Sequence, residues 1–330
     1  MYLNIIKKIE FNNINSINIT MTSIETDLTK LSKPELIEKC GQAGIIKCKS
    51  KSKTVLIEML LKTKESNPCL KPLIKWSGGK SDEIKLFEKY IPKHNVYLEP
   101  FIGGGSLYFY LNPDNAVISD VHTELIDLYK SIGNGHSNEI HEFMKTNPND
   151  EETYYKIRDE MEINDALDRA KRFYYQRKTC FRGMLRYNKN GKFNIPFGKY
   201  TNINYSDLTN TQYEVLLKRS TILNKGFEYV FENYNDENNF MFLDPPYDSE
   251  FTDYGYCTFG KEEHKKLAAQ FKNTKIKCLM VIGKTPFIEE LYSGYIVGEY
   301  DKKYKFKLYD KRIGNEIDKK HLIIMNYTIT

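Results

Sequence analysis

Short apolar runs alternate with helix-like segments over most of this chain. The strand-like runs lie at 96–98, 116–118, 240–243, 277–282 and 322–325, and the helix-like segments at 105–111, 122–130, 261–271 and 286–292. Strands that are separated by helices usually pair in parallel, because each crossover helix returns the chain to the same end of the sheet. We therefore predict an α/β fold with a largely parallel sheet and helices on both faces.

The run at 240–243 ends in Asp244-Pro245-Pro246-Tyr247. Proline cannot donate to a sheet ladder and restricts the residue before it, so this sequence predicts that the strand stops here. The strand end then presents a carboxylate, a carbonyl and an aromatic face together, where open α/β sheets bind ligands. A flat base with an amino group fits this corner, with Asp244 and the Pro245 carbonyl as acceptors and Tyr247 stacked on its face. The alternative is a turn that only ends a strand.

A glycine-rich loop, Glu99–Ser106, follows the first strand-like run. Its glycines permit a tight turn and a close approach of the backbone to a ligand. The dinucleotide pattern GxGxxG is absent, because Leu107 and Tyr108 stand where its last glycine would fall. Asp120 follows the next strand and is placed to accept hydrogen bonds from ribose hydroxyls. A nucleoside ligand without a diphosphate, such as S-adenosylmethionine, therefore fits better than NAD, although the loop could also be a plain turn.

The segment Lys71–Lys80 precedes the sheet and holds the only tryptophan, Trp76. A glycine pair between Trp76 and Lys80 suits a lid, in which Lys80 attracts a carboxylate and Trp76 packs on an apolar or cationic group. The alternative is an amino-terminal strand with a turn.

The charge of the chain is unevenly distributed. The net charge is +5, but residues 165–200 hold ten basic and two acidic residues. This stretch lies in a charged, aromatic and mostly helical insertion at about 134–224, and the segments 27–65 and 301–320 are also basic. A basic face on an otherwise acidic protein indicates a polyanionic partner, most simply a nucleic acid. The alternative is an ordinary lysine-rich solvated surface.

The amino-terminal part has its own organisation. Residues 1–26 lack a sustained period and are expected to form a disordered leader, in which Met21 is a possible natural start. Ser32 and Glu35 form a predicted capping box, and two short helices flank a basic loop at 47–53. Residues 27–64 thus resemble the SAP module, a small helical DNA-binding unit, with Ser52 where that family usually has glycine. The alternative is a helical hairpin for packing or docking, and residues 65–70 are the predicted linker.

Several classes of protein are not favoured by the sequence. The six cysteines and six histidines form no CxxC or HExxH motif, so we expect no metal site and no disulfide framework. No apolar run is long enough to cross a bilayer, and no signal-peptide pattern begins the chain. We therefore expect a soluble intracellular protein.

Four motifs occur in order: KWSGGK at 75–80, EPFIGGGS at 99–106 with Ser119-Asp120 behind it, the loop Lys178–Tyr200, and Asp244–Tyr247. Together they resemble the Dam-like, or D12, class of DNA adenine methyltransferases over roughly residues 71–327. The resemblance implies a Rossmann-like S-adenosylmethionine-dependent methyltransferase sheet with a target-recognition insertion. The implied reaction methylates the exocyclic amine of an adenine that is flipped out of double-stranded DNA. The tail at 314–324 is similar to the last hairpin of that family.

The resemblance also implies roles for individual residues. Catalysis would fall to Asp244, Pro245, Pro246 and Tyr247. S-adenosylmethionine would contact Trp76, Lys80, Glu99, Phe101, Gly103, Gly105, Asp120 and Asp244. Phe181 would wedge into the duplex, and the residues that read or grip DNA would be Lys75, Arg182, Arg186, Asn188 and Tyr200.

The chain also departs from the family pattern. The family commonly has Asn where Arg177 and Arg182 stand and Leu where Met184 stands, which leaves the usual GATC target open. The Ser-Asn pair expected after the strand at 280–283 is missing. An RNA or cytosine-N4 amino methyltransferase and an inactive DNA-binding protein on the same fold stay as alternatives. Host context, oligomeric state and a partner restriction endonuclease are not settled by the sequence.

Overall fold

The computed structural model describes residues 28–42, 48–65, 69–248, 258–304 and 317–329. The chain divides into two compact units, Met1–Pro68 and Cys69–Thr330. Some expectations fall outside the described residues: the leader at 1–26, residues 66–68 of the linker and the segment at 314–316. Within the described residues, no helix is long and apolar enough to cross a membrane.

The first unit contains the helices α1 (Lys33–Gln42) and α2 (Lys53–Glu65). One half of the predicted capping box is present, since the Ser32 backbone N–H donates to Oε2 of Glu35 over 2.7 Å. The Ser32 hydroxyl donates to the same oxygen over 2.6 Å. Ser52 precedes α2, and its hydroxyl accepts from the N–H of Val55 over 3.3 Å. Glycine has no such hydroxyl, so the capping role is a physical reason for serine at this position.

The second unit carries the sheet and most of the helices. Its strands are β1 (Tyr97–Glu99), β2 (Ala116–Ser119), β3 (Thr221–Leu223), β4 (Phe240–Leu243), β5 (Lys277–Gly283), β6 (Ile296–Tyr304) and β7 (Ile317–Met325). Its α-helices are α3 (Ile84–Phe87), α4 (Ser106–Leu111), α5 (Thr123–Gly133), α6 (Ser137–Thr146), α7 (Glu151–Asp159), α8 (Ala166–Thr179), α9 (Thr211–Arg219), α10 (Phe227–Asn233), α11 (Lys261–Asn273) and α12 (Pro286–Leu291).

The strand order is β3-β2-β1-β4-β5-β7-β6. The first five strands in this order are parallel to one another. Strand β7 is antiparallel to β5, and β6 is antiparallel to β7. The chain builds outward from β1 on one side and from β4 on the other, so its direction reverses between these two strands. Ligands of open α/β sheets bind beyond the carboxyl ends of the strands at such a reversal. Glu99 ends β1 and Asp244 follows β4, so both residues lie at this crevice.

Both faces of the sheet are covered, as β4 illustrates. Phe240 and Phe242 pack in one apolar cluster together with residues of α5 and α8. Met241 and Leu243 point to the other face and pack with residues of α10, α11 and α12. All four side chains are buried, which stabilises the fold by about 1.5–3 kcal/mol for each large apolar side chain. Because β4 is buried on both faces, its sequence is a continuous apolar run.

The structure also differs from the sequence expectations. The predicted insertion at about 134–224 contains α6 to α9, but it also contains β3, which pairs with β2 as a strand of the sheet. The alternative of a strand at Lys71–Lys80 is not borne out, because this segment contains a bend at 73–74 and a turn at 77–78. The last hairpin exists, but its first strand, β6, was not predicted from the sequence.

Candidate active site

A cavity of about 300 Å³ opens at the carboxyl ends of β1 and β4. It is lined by the glycine loop, the Asp244–Tyr247 corner and residues 76–80, so three of the sequence motifs meet at one place. Other residues of its wall are Asp120, Val121, Phe227, Glu228, Thr258, Phe259 and Glu263. Every predicted catalytic and cofactor-binding residue lines this cavity.

Lys80 is buried against the Asp244–Tyr247 corner, with 1% of its side chain exposed. Its Nζ lies 2.5 Å from Oδ1 of Asp244 and donates to the Tyr247 hydroxyl over 2.8 Å. The third hydrogen bond goes to the Gly78 carbonyl over 2.9 Å. An ammonium group has three donors, and all three are used, so burial leaves none of them without a partner. The carboxylate that Lys80 attracts is thus the protein's own Asp244.

The charge state of Asp244 depends on this lysine. Burial raises the pKa of Asp244 above its ordinary value, and the charge and hydrogen bond of Lys80 oppose that rise. A carboxylate that is ionised accepts hydrogen bonds only, whereas a protonated one also donates. Lys80 therefore favours the form of Asp244 that can accept from an amine.

The glycine loop is packed against Trp76. A Cβ atom on Gly103 would lie 2.6 Å from Cδ1 of the Trp76 indole. A Cβ atom on Gly104 would lie 2.9 Å from the Cβ of Trp76. Gly103 and Gly105 also adopt positive φ angles of 43° and 68°. The loop needs glycine for these left-handed conformations and for the close approach of Trp76. The sequence predicted a close approach of a ligand to this loop, and in the structure the Trp76 side chain approaches it closely.

Asp120 holds the same loop from the other side. Its Oδ2 accepts from the N–H of Gly103 over 3.0 Å, and its Oδ1 accepts from the N–H of His122 over 2.9 Å. Burial raises the pKa of Asp120 to about 6, although these backbone hydrogen bonds oppose the rise. A carboxylate has about four acceptor sites, so these backbone hydrogen bonds leave acceptor capacity for a hydroxyl group of a ligand.

Glu99 is the second buried carboxyl group of the wall. Its Oε2 accepts from the Tyr97 hydroxyl over 2.6 Å. Burial raises the pKa of Glu99 well above its ordinary value, and the negative charges of Asp244 and Asp120 raise it further. The hydrogen bond from Tyr97 opposes this rise. Burial therefore favours the protonated form of Glu99, which can donate one hydrogen bond.

Three phenylalanines form an apolar wall of the cavity. The rings of Phe101 and Phe227 are stacked with centroids 5.5 Å apart, and the ring of Phe259 meets Phe101 edge-on at 5.6 Å. Sequence reasoning identified Phe101 but missed Phe227 and Phe259. These two residues come from the start of α10 and from the segment before α11, and no local pattern marked either of them.

The cavity has the groups that a nucleoside needs. An aromatic wall suits a flat base, the Asp120 carboxylate suits ribose hydroxyls, and the glycine loop lets a ligand approach the backbone. The pair of raised-pKa carboxyl groups, Glu99 and Asp120, adds polar groups at a buried edge. The residues present therefore fit S-adenosylmethionine. Among the described residues no group of His, Cys, Asp and Glu is placed to hold a metal ion.

A groove of about 1020 Å³ adjoins the cavity and shares Trp76 and Gly104 with it. Three of the predicted DNA-binding residues, Lys75, Arg182 and Tyr200, line this groove. Nζ of Lys75 lies 5.9 Å from the centre of the Tyr200 ring. Phe181 is half-buried against the core, and the Arg182 guanidinium lies 5.3 Å from its ring centre.

Arg182 stands in a strained turn at the edge of this groove. Its φ angle is 56°, and Gly183 follows with a φ angle of 61°. A non-glycine residue in this left-handed region costs roughly 1–2 kcal/mol, and such strain often marks functional sites. The strain supports the expectation that this turn has a role.

Arg186 and Asn188 are not among the residues that line the groove. The guanidinium of Arg186 donates to Oδ1 of Asn194 over 2.8 Å. The Oδ1 of Asn188 accepts from the backbone N–H groups of Asn190 and Lys192 over 2.9 and 3.0 Å. Both side chains shape the hairpin that carries them, a task which sequence reasoning did not foresee.

Arg177, one of the departures from the family pattern, is buried in the wall of the groove. It donates hydrogen bonds to the carbonyl groups of Met184 and Lys75. Its guanidinium also lies 5.6 Å from the Trp76 ring. Arg177 thus connects the recognition loop with the segment that lines the cavity.

The missing Ser-Asn pair after β5 is replaced by Lys284 and Thr285. Thr285 caps α12 by accepting from the N–H of Ile288 over 3.2 Å. Its hydroxyl also donates to Oδ2 of Asp248 over 2.7 Å. Thr285 therefore fixes the chain just after the Asp244–Tyr247 corner.

Comparison with known proteins agrees with this site. Residues 76–308 match the family of D12 class N6 adenine-specific DNA methyltransferases. The chain is 58% identical over 261 residues to the type II methyltransferase M.CviBI of Paramecium bursaria Chlorella virus NC1A, covering 78% of this chain and 100% of that protein. It is 33% identical over 296 residues to the type II methyltransferase M.MjaIII of Methanocaldococcus jannaschii, covering 78% and 99%.

A DNA adenine methylase of Haemophilus influenzae is a more distant relative. The identity is 28% over 256 residues, covering 72% of this chain and 88% of that protein. The family match extends from the Trp76 segment through the cavity and the recognition insertion into the last hairpin. This chain therefore belongs to the D12 class of N6 adenine-specific DNA methyltransferases.

Proposed function

We propose that this protein transfers the methyl group of S-adenosylmethionine to the exocyclic amine of an adenine flipped out of double-stranded DNA. The observation that carries the proposal is the position of Asp244 and Tyr247 in the wall of the same cavity as Asp120 and the glycine loop. Acceptors for an amine and acceptors for a nucleoside thus lie in one enclosed space.

The proposed chemistry depends on positioning. The lone pair of the adenine amine is conjugated with the ring, so the amine is a poor nucleophile. Hydrogen bonds from its two N–H groups to the Asp244 carboxylate and the Pro245 carbonyl would favour a tetrahedral nitrogen and direct the lone pair away from the ring. Positioning effects of this kind can be worth about 7–11 kcal/mol. No covalent enzyme intermediate is needed.

Lys80 affects the entry of the target base, because it already uses an oxygen of Asp244. An incoming amine needs a lone pair on the same carboxylate. Because Lys80 Nζ also has Tyr247 and Gly78 as partners, it can weaken its contact with Asp244 and stay hydrogen-bonded. We propose that Lys80 keeps Asp244 ionised until the base arrives.

The cofactor would be held by groups already in the wall. S-adenosylmethionine, when bound, supplies an electrophilic sulfonium methyl group. Asp120 would accept from ribose hydroxyls, and the aromatic wall of Phe101, Phe227 and Phe259 would exclude water from the base. Trp76 packs over the glycine loop and closes the side of the cavity next to the groove.

The adjoining groove is the proposed path for DNA. Lys75 and Arg182 bring positive charge to it, and Phe181 lies beside Arg182. Flipping a base out of a duplex costs a few kcal/mol. Stacking on an aromatic side chain such as Tyr247 is worth about 1–3 kcal/mol per base, so it offsets part of that cost.

We further propose that residues 27–64, within the first unit, are an accessory DNA-binding module. Two helices flank a loop that carries the exposed lysines Lys49 and Lys51. Replacing both lysines by glutamate in the full chain should weaken DNA binding without changing cofactor affinity. Equal DNA affinity of this variant and the wild type at low salt would contradict this proposal.

Transfer of labelled methyl groups tests the main proposal. The protein is incubated with S-adenosylmethionine labelled in its methyl group and unmethylated duplex DNA, and the modified base is identified after digestion. We expect N6-methyladenine, none in Asp244→Ala, and nearly unchanged DNA binding in that variant. Label in RNA or in cytosine, or full activity in Asp244→Ala, would contradict the proposal.

A further inference from the structure

Glu83 carries a buried carboxylate that has no part in the proposed reaction. Its side chain is 4% exposed, and Oε1 lies 2.7 Å from Nζ of Lys302. Oε2 accepts from the Tyr300 hydroxyl over 2.5 Å and lies 2.7 Å from Nδ1 of His321. Burial alone would raise the pKa of Glu83, but these hydrogen bonds lower it to about 2. The carboxylate is therefore ionised at neutral pH.

His321 connects this carboxylate to Tyr247. It is fully buried on β7, opposite Gly283 of β5. Its ring meets the Tyr247 ring edge-on, with centroids 5.6 Å apart and planes at 64°. On the Tyr300 side, the centroids are 5.5 Å apart. A hydrogen bond to Glu83 restricts rotation of the imidazole, so the edge that touches Tyr247 stays in place.

Glu83 is also connected to Lys80, the other charged neighbour of Tyr247. The backbone N–H of Glu83 donates to the Lys80 carbonyl over 2.8 Å. Nζ of Lys80 lies 5.1 Å from the centre of the Tyr247 ring. Glu83 thus contacts, through its backbone and its side chain, two residues that lie against Tyr247.

Stability alone does not explain such a cluster. Apolar residues of similar volume often stabilise a protein as well as a buried ion cluster does, because burying charges is costly. The residues that follow His321 on β7, Leu322 and Ile323, are buried and apolar. A charged cluster in contact with the active-site tyrosine is better explained by the orientation that its hydrogen bonds impose.

We infer that Glu83 and His321 are positioning residues for methyl transfer, which hold the Tyr247 ring in the orientation that stacks the target adenine. The inference rests on the proposed function, because it requires Tyr247 to be the stacking residue. A tilt of this ring would move the adenine amine away from Asp244. A misplacement of about 1 Å can cost a factor of about 100 in rate.

Single substitutions test the inference first. Glu83→Gln removes the charge with little change in volume, and His321→Asn removes the imidazole ring while keeping a polar side chain. We expect kcat to fall by about 10- to 100-fold, while cofactor affinity, measured from Trp76 fluorescence, stays at the wild-type value. The matched control is Glu299→Gln, which removes a carboxylate from an exposed ion cluster with Lys284 on the same hairpin. Its kcat should equal that of the wild type.

A double-mutant cycle then asks whether His321 acts through Tyr247. In a Tyr247→Leu background the ring is gone, so His321→Asn should lower kcat no further. Tyr300→Phe removes only one hydrogen bond from Glu83 and serves as a milder variant if Glu83→Gln does not fold. It should reduce kcat less than Glu83→Gln does.

The outcomes separate this inference from the proposed function. Absence of methyl transfer by the wild-type protein would reject the proposed function itself. If the wild type is active but the effects of His321→Asn and Tyr247→Leu on kcat are additive, the positioning role is rejected and the proposed function stays intact. The same holds if Glu83→Gln or His321→Asn loses cofactor affinity in parallel with kcat. An unchanged kcat in His321→Asn would also overturn it.

Discussion

Nζ of Lys80 lies 2.5 Å from Oδ1 of Asp244, although 164 residues separate the two along the chain. The ammonium group opposes the rise in the Asp244 pKa that burial causes. The same contact occupies an acceptor that the proposed reaction needs for the target amine. Lys80 therefore has two opposite effects, since it favours the ionised form of Asp244 and occupies one of its oxygens.

The first prediction concerns the pH dependence of Lys80→Met. Asp244 must be ionised to accept from the amine, so kcat/KM falls as the pH drops through its pKa. Without Lys80 the pKa of Asp244 rises, so the acid limb of the profile of kcat/KM against pH should move to higher pH. The control is Lys75→Met, which removes an exposed lysine from the groove and should leave the limb in place. An identical acid limb in Lys80→Met and wild type would show that the contact does not tune Asp244.

The second prediction concerns cofactor binding and Asp120. The pKa of Asp120 is raised to about 6, chiefly by burial. Above that pH the carboxylate is ionised and accepts from ribose hydroxyls, whereas below it the protonated form accepts more weakly. Cofactor affinity should therefore decline as the pH falls from 7 to 5, at about the pH given by this pKa. Calorimetric titration of S-adenosylhomocysteine measures it.

Asp120→Asn is the control for this titration. Asparagine cannot ionise, so the pH-dependent step assigned to Asp120 should be absent, and affinity should be low throughout. Any step that persists in Asp120→Asn comes from another group, such as the amine of the ligand. Identical pH profiles in the two proteins would rule out Asp120 as the titrating contact.

The sheet was largely predictable because its strands are buried on both faces. The prediction of 240–243 matches β4, and the runs at 96–98 and 116–118 are within one residue of β1 and β2. Parallel strands with two covered faces need an apolar residue at each position, which leaves a clear signal in the sequence. In β6 the segment Gly298–Lys303 is mostly polar, and its strand comes from pairing with β7. Pairing with a distant strand leaves no pattern in the local sequence of β6.

The meeting of the motifs at one cavity was predictable, but the contacts among their side chains were not. The motifs that contain Trp76, Asp120 and Asp244 do line one cavity. The partner of Lys80 was expected to be a ligand and is Asp244. His321 and Glu83 meet across 238 positions of sequence, and the sequence assigned a role in the site to neither of them. Sequence spacing predicts where a strand ends, whereas side-chain partners depend on how distant elements pack.

The third prediction uses Trp76 as a reporter of the glycine loop. In Gly103→Ala the new Cβ would lie 2.6 Å from the indole, and the φ angle is 43°. We expect a shifted Trp76 emission and a loss of cofactor affinity, because the indole must move. The strained φ angle should lower stability by roughly 1–2 kcal/mol. The fluorescence of the only tryptophan is measured with and without S-adenosylhomocysteine.

Gly294→Ala provides the matched control for this substitution. Gly294 also has a positive φ angle, 84°, but a Cβ there would meet nothing within 4 Å. It should lose similar stability and keep the wild-type emission and affinity. If both variants lost cofactor affinity equally, backbone strain rather than the collision with Trp76 would be responsible.

The fourth prediction concerns the salt dependence of DNA binding. Arg182 lines the groove in a left-handed conformation, and asparagine tolerates that conformation well. Arg182→Asn should therefore keep the fold and remove one positive charge from the groove. If Arg182 contacts a phosphate, the slope of log K against log salt should become shallower by about 0.9. Lys265→Asn is the control, since Lys265 lies on α11 and lines neither the groove nor the cavity. Its slope should equal that of the wild type, and an equal slope in Arg182→Asn would remove this residue from the DNA interface.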